Sequence, residues 1–359
     1  MKLSHCFYSF LFASALCGGQ AQAQSISADV LMELQSESGV DSSNDDNHRT
    51  NMFFRTEVAP TLTLNDHFYI DGTLVLEPVR DPEPGDDLFF EDEGIYAEEI
   101  KLNFVHGPWH VFAGKFNPAF GFGWEWGRGI WGEDFAEDYE ITEKIGFGVS
   151  YAFETETMGT HTLTGSTFFT DTTILSQSII RGRGTVEKDD GGASNTEDFS
   201  SFVAGLDGDN VAGVDGLYYK LGYRFLGEGD ADHATGGADE SGWVATLGHR
   251  VIVNERINLD LFAEYTDIQN FGGVDGEGRD YLSGSVKTIL DERWNLTLAH
   301  TMRNIDVTGA DDIDDHLNQM SAGYDFQNGL TLEAGWKNTE EDGVDDHIIG
   351  VLARYQFGL

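Results

Sequence analysis

From about residue 25 onward the chain repeats one unit: a run of roughly ten residues in which every second side chain is apolar, closed by turn-forming residues. Leu217, Tyr219, Leu221, Tyr223 and Phe225 make one such run; Ile257, Leu259, Leu261, Ala263 and Tyr265 make another; Ile349, Val351, Ala353, Tyr355 and Phe357 make the last. The residues between them are polar or small: Lys220, Gly222 and Arg224 in the first, Asn258, Asp260 and Glu264 in the second. A period of two is the period of a strand, so each run has one apolar and one polar face. This pattern leaves two all-β solutions, a sandwich with one wet face or a closed barrel in lipid.

The connections decide between them. Sixteen runs can be marked, near 26–37, 48–63, 67–78, 95–105, 109–116, 143–153, 160–172, 200–207, 216–226, 241–253, 256–268, 280–289, 293–304, 316–326, 330–337 and 346–357. Connections after even runs are tight, such as Asn65-Asp66, Asn254-Glu255 and Asp291-Glu292, with looser ones after the sixth and eighth. Those after odd runs are long and acidic: 79–94, 117–142, 173–199, 227–240, 269–279 and 305–315. Short turns at one rim and long loops at the other, on an even strand count, is the arrangement of a transmembrane antiparallel β-barrel. No stretch approaches 18 consecutive apolar residues, so lipid could be crossed only by a closed sheet, which pairs every backbone group. The fold class expected is all-β, a barrel of about 16 strands.

The N-terminus reads as a leader. Lys2, the apolar run Cys6–Leu16 and the Ala21-Gln22-Ala23 pattern predict a signal peptide over 1–23 and a barrel domain over 24–359. Both cysteines, Cys6 and Cys17, fall in the leader, so disulfides, thiolate catalysis and cysteine metal sites are not expected in the barrel. The chain carries 63 Asp and Glu against 21 Lys and Arg, a net charge of −42. That balance excludes nucleic acid as a partner. With 12% aromatic residues and 6 prolines it does not read as a disordered acidic chain either.

Residues 117–142 stand apart. This third long connection holds Trp124, Trp126, Trp131, Phe120, Phe122 and Phe135, too apolar for an exposed loop. Its acids are Glu125, Glu133, Asp134, Glu137, Asp138 and Glu140, and Arg128 is its one base. The bases of the strands, among them Arg55, Lys101, Lys220, Arg224, Arg250, Lys287, Arg303, Lys337 and Arg354, alternate with apolar positions. They are expected inside the barrel, since a charge facing mid-bilayer lipid costs roughly 2–4 kcal/mol. An acidic loop against a basic wall would set ion selectivity.

The segment from Ala113-Gly114-Lys115-Phe116-Asn117-Pro118 to Asp134-Phe135-Ala136-Glu137-Asp138-Tyr139-Glu140 resembles a block of alphaproteobacterial porins, and the chain looks like a Gram-negative general or phosphate-selective-type porin. The alternating C-terminus is similar to the outer-membrane insertion signal, except that Gly358 and Leu359 follow the expected terminal Phe357. The resemblance implies an outer-membrane location, a homotrimer, passive diffusion of small hydrophilic solutes and ions, and a third loop folded inward. It implies a constriction formed by the six acids, with Arg55, Lys101 and Arg354 on the facing wall and Trp124, Trp126 and Trp131 packed against it. The expected surroundings are outer-membrane lipid and lipopolysaccharide. The acids of the other loops, such as Asp86-Asp87, Asp311-Asp312 and Asp314-Asp315, are expected to be solvated and to share loosely held calcium or magnesium with its phosphates; no other cofactor is expected. Alternatives are a channel selective for phosphate, another anion or a chelated metal, and a plugged structural or adhesive barrel.

An enzyme is not expected. The G-x-G-x-x-G match at Gly127, Gly129 and Gly132 lacks a strand-to-helix setting. The calcium-loop-like start at Asp207 lacks a ligand at Val211 and a glycine at Ala212. No G-x-S-x-G elbow occurs.

Overall fold

The computed structural model describes residues 25–80, 85–126, 128–155, 157–232 and 237–359, without the side chain of Glu125. The expected leader, 1–23, lies outside the described residues. Sixteen long strands follow in chain order: β1 (Ser25–Ser42), β2 (Thr50–Thr63), β3 (Phe68–Pro78), β4 (Glu93–His106), β5 (Trp109–Phe116), β6 (Lys144–Thr155), β7 (Gly159–Thr170) and β8 (Ser201–Asp209). Then come β9 (Leu217–Leu226), β10 (Glu240–Asn254), β11 (Ile257–Gln269), β12 (Glu277–Leu290), β13 (Trp294–Val307), β14 (Ile313–Asp325), β15 (Leu330–Glu341) and β16 (Val344–Gly358). Each pairs antiparallel with the next, and β16 pairs with β1 from Asp29 opposite Gly358 to Ser42 opposite Asp346. The sheet is closed. The sixteen strands read from the alternation are the sixteen found.

The alternation also sorts the two faces. Leu221, Leu247, Leu282, Leu298 and Val351 are exposed on the outside, while Lys220, Arg224, Glu240 and Glu264 are buried on the other face. Phe54, Phe68, Trp109, Trp243, Trp294 and Tyr355 are exposed outside, as expected of aromatic girdles. Their neighbours Phe53 and Tyr69 are inside: successive residues of a strand face opposite ways, so Phe53 shares the face of Arg55 and Tyr69 that of Asp71.

The loops at one rim are shorter than expected. The connections placed at 269–279 and 305–315 shrink to 270–276 and 308–312. β15 and β16 meet in a two-residue turn, Asp342-Gly343, both at positive φ. The apolar alternation marks only the part of a strand with one apolar face. The ladder continues beyond it, through Asn338–Glu341 and Asp345-Asp346, where both faces are polar. The connection after β6, expected to be loose, is a short turn.

Two two-residue bridges tie longer connections to the barrel. Leu88–Phe89 pairs with β2, and Ile179–Ile180 pairs with Gly94 and Ile95 of β4, beyond the reach of the short β5. Beside this second bridge Lys115 is buried between Glu143 at 2.7 Å and Asp171 at 3.0 Å.

Candidate functional site

Residues 117–142 join β5 to β6, and their contacts run to the polar face of the sheet. One carboxylate holds both arms of the segment. Glu264 of β11, 2% exposed, accepts the backbone N–H of Phe122 at 2.7 Å and of Gly123 at 2.9 Å, and the Tyr139 hydroxyl at 2.8 Å; the Thr246 hydroxyl donates to it as well. The local chain is fitted to this clasp. Gly121 has a φ of +79°, and a Cβ at Gly123 would sit 2.6 Å from the Glu264 carboxylate. The helical turn Gly123–Trp126, α1, follows directly.

Cations of the wall take the rest. Lys337 reaches Asp134 at 2.6 Å. Arg303 reaches Asp138 at 2.8 Å and Asp315 at 2.6 Å, and the Tyr281 hydroxyl also donates to Asp138, at 2.9 Å. Arg224, paired with Glu240 at 2.6 Å, donates to the carbonyl of Tyr139 at 2.6 Å. In the reverse sense, Arg128 of the segment reaches Asp260 of β11 at 2.8 Å. Charges this far from water are stable only when paired and hydrogen-bonded, so each contact also fixes the segment's position.

The aromatic residues of the segment are seated against the same face. Phe120, Phe135, Tyr139 and Ile141 share a core with Val244, Ile268, Tyr281 and Leu317, and Trp124 packs on it. Trp126 stacks on Phe122 at 4.0 Å, with the ring of Tyr218 edge-on and Arg250 above. Trp131, 2% exposed, lies over Gly335 and Gly350, which oppose each other directly on β15 and β16. Two facing glycines leave a dip in the wall the depth of a side chain. The indole fills it, with its N–H donating to Glu37 of β1 and its backbone N–H to Gln319 at 3.2 Å.

The other edge of the segment is different. Glu133, Glu137 and Glu140 have no ion pair among the described residues. Burial pushes the Glu133 carboxyl up to about 7; Arg55 and Arg354 pull against this, while Glu33 and Asp134 add to it. Glu137 is raised to about 7 by burial and by Asp134 and Glu133. Glu140 is raised to about 10 by burial, then by Glu98, Glu137 and Glu133. Across from them, Arg55 pairs with Glu57 and Glu77 of its own wall, each at 3.4 Å, and Arg354 with Glu33 at 2.5 Å. Lys101 pairs with Glu99 at 2.9 Å and Asp71 at 3.9 Å.

The six acids expected to act as one group are therefore split. Asp134 and Asp138 are turned to the wall because Lys337 and Arg303 claim them. Glu133, Glu137 and Glu140 are left on the side of Arg55 and Arg354, and the side chain of Glu125 lies outside the described residues. Of the three expected wall cations, Arg55 and Arg354 act on Glu133, whereas the ion pairs of Lys101 stay on β3 and β4. Asp315, expected to be solvated, is buried against Arg303. Sequence reasoning placed Glu264 on the polar face but not in the clasp. Its partners in the segment lie 125 to 142 residues away along the chain, and no local signal separates it from other inward acids.

No protein-family model and no curated protein matches the sequence. Solved structures match the fold. The chain is similar to OprB of Pseudomonas putida, at 12% identity and a TM-score of 0.61, over 93% of this chain and 94% of that one. The outer-membrane channel DcaP of Acinetobacter baumannii matches at 13% identity and 0.56, over 93% and 97%. OpdK of Pseudomonas aeruginosa, solved with vanillate, matches at 9% identity and 0.54, over 93% and 99%. At these identities the likeness is one of fold: a sixteen-stranded barrel of the outer-membrane-channel type.

Proposed function

We propose that the chain is an outer-membrane porin for passive diffusion of small hydrophilic solutes and ions, in which residues 117–142 fold into the lumen and narrow it. The observation that carries this reading is the one-sided fastening of the segment. Beyond Asn117, which bonds Glu98 and Glu99 of β4 at the root of the segment, its clasp, ion pairs and rings engage β9–β15 and Glu37 at the β16–β1 seam, and leave Glu133, Glu137 and Glu140 facing Arg55 and Arg354 with no salt bridge among the described residues. A plug would be fastened on all sides. The tight turns lie at the periplasmic rim and the long connections at the outer one, by the general rule for such barrels.

The passage on this reading is bounded by Glu133 and Glu137, which have no ion pair among the described residues and ionise above a pH of about 7, by Glu140, which stays protonated there, and by two arginines already paired, so it favours cations at and above that pH. In a planar bilayer with a salt gradient, refolded protein is expected to give discrete current steps and a cation-favouring reversal potential. Folded protein without conductance would leave a plugged barrel; an anion-favouring potential would overturn the acid-edged passage. A substrate-selective channel for anions is the second reading, favoured by Lys287, an interior cation with no ion pair among the described residues. A homotrimer is proposed from the resemblance alone, and an oligomer that dissociates on heating would support it.

A further inference from the structure

Lys287 is the fourth residue from the end of β12, on the inner face and half-buried. It lies opposite Asp260 on β11 and Thr297 on β13, and Thr297 lies opposite Ser321 on β14. The charges that act on it most are Glu333, Arg128, Arg354 and Asp260. The others are engaged: Asp260 with Arg128 at 2.8 Å, Arg354 with Glu33 at 2.5 Å, and Glu333 with the Ser321 hydroxyl at 2.5 Å. Lys287 itself has no ion pair or hydrogen bond among the described residues.

The wall around it holds further polar atoms without partners. Arg128 Nε, Ser285 Oγ, Thr297 Oγ1 and Gln319 Nε2 are buried and make no hydrogen bond. Thr297 is 0% and Gln319 4% exposed. All four can donate; Asp260 Oδ1 is the unpartnered acceptor in the same patch. Ser285 and Gln319 flank Ala299 on neighbouring strands, so the smallest side chain stands between two unmet donors. A buried donor left without an acceptor carries its whole desolvation cost, and native structures keep such groups where a water, an ion or a ligand completes them.

We infer that Lys287, Arg128, Ser285 and Thr297 form a station for a small oxyanion, the carboxylate or phosphate group of a passing solute. An oxyanion supplies several lone pairs to these donors and a direct ion-pair partner for Lys287. Water would complete the hydroxyls but give Lys287 no ion pair; a cation would meet Lys287 and Arg128 at close range. The inference rests on the reading of the interior as a solute path.

The test is single-channel current in potassium chloride while inorganic phosphate, and separately acetate, is added. Wild-type current is expected to fall with concentration, and K287Q to raise the half-blocking concentration about tenfold, the size expected for a hydrogen bond to a charged group. S285A gives a smaller rise. K188Q, in the connection after β7 where Lys188 pairs with Glu197, is expected to behave as wild type. Block by one anion and not the other assigns the station to tetrahedral or planar oxyanions. Equal block of K287Q and wild type, or no block of wild type by either anion, overturns the station while the open steps keep the porin reading. Should the protein not conduct, calorimetric binding of phosphate to detergent-solubilised wild type and K287Q decides the station independently: weaker binding by K287Q supports it, and equal or absent binding overturns it.

Discussion

The two halves of the barrel wall treat their cations differently. On β9–β15, Arg224, Arg303 and Lys337 reach out to residues 117–142. On β16 and β2–β4, Arg354, Arg55 and Lys101 turn to acids of their own wall. Both halves are strands with one basic and acidic inner face, so composition does not distinguish them. What differs is who the partner is, and that decides where the segment is held and where it stands clear. On the function proposed above, the lumen is narrowed by fastening the segment on one side and leaving the other side short of ion pairs.

The comparison breaks most visibly at the clasp. Glu264→Ala removes one carboxylate from four neutral donors, and the fastening is expected to weaken by about 1–3 kcal/mol for each buried donor left without an acceptor. Single-channel conductance should rise several-fold and become noisy. If the steps stay at the wild-type size, the β9–β15 side is not what holds the segment. Next comes the tryptophan seat. A Cβ at Gly350 would run into the indole of Trp131, so Gly350→Val is expected to lower stability by about 1–3 kcal/mol, as overpacking does, and to shift the intrinsic fluorescence toward the wet spectrum. An unshifted spectrum would mean that the dip is not needed.

On the open side the expected effects are on selectivity rather than stability. The double substitution Glu133→Gln and Glu137→Gln should move the reversal potential toward zero with little change in melting temperature. A potential that stays put would assign selectivity to the outer loops instead. The smallest effect is that of pH on the same pair. Both carboxyls lie at about 7, so they are neutral below that pH and ionised above it. Cation preference is expected to grow as pH rises from about 6 to 8 and to fade on acidification. Because the folded state holds these protons more tightly than free carboxylates do, the same rise in pH lowers stability slightly. A reversal potential flat across that window would place both groups in ordinary solvated surroundings.

The barrel was legible because lipid imposes period two on one face and closure on the backbone. The same rule explains the errors: where strands rise beyond the apolar band, as at Asn338–Glu341, the signal stops while the ladder goes on. The third connection was legible by its rings, which need burial. Its anchoring was not. Glu264, Gln319 and the facing glycines Gly335 and Gly350 look like any other inward positions in the sequence, and their role follows only from which strands the closed sheet brings opposite 117–142. The split among the six acids follows from the same long-range pairing.

Trp131 touches β15 through Gly335, β16 through Gly350 and β1 through Glu37. These are the strands at which the last segment of the chain meets the first, and that ladder joins residues more than 300 apart, such as Asp29 and Gly358. Joining them means closing a very long loop, the kind of contact whose entropy must be spent before anything is gained. The order of assembly is thereby constrained. The ring can settle only once the seam exists, and the seam gains an apolar patch and a hydrogen bond once the ring has settled. One indole thus acts as a latch on ring closure, and its emission would serve as a clock for the final step of folding.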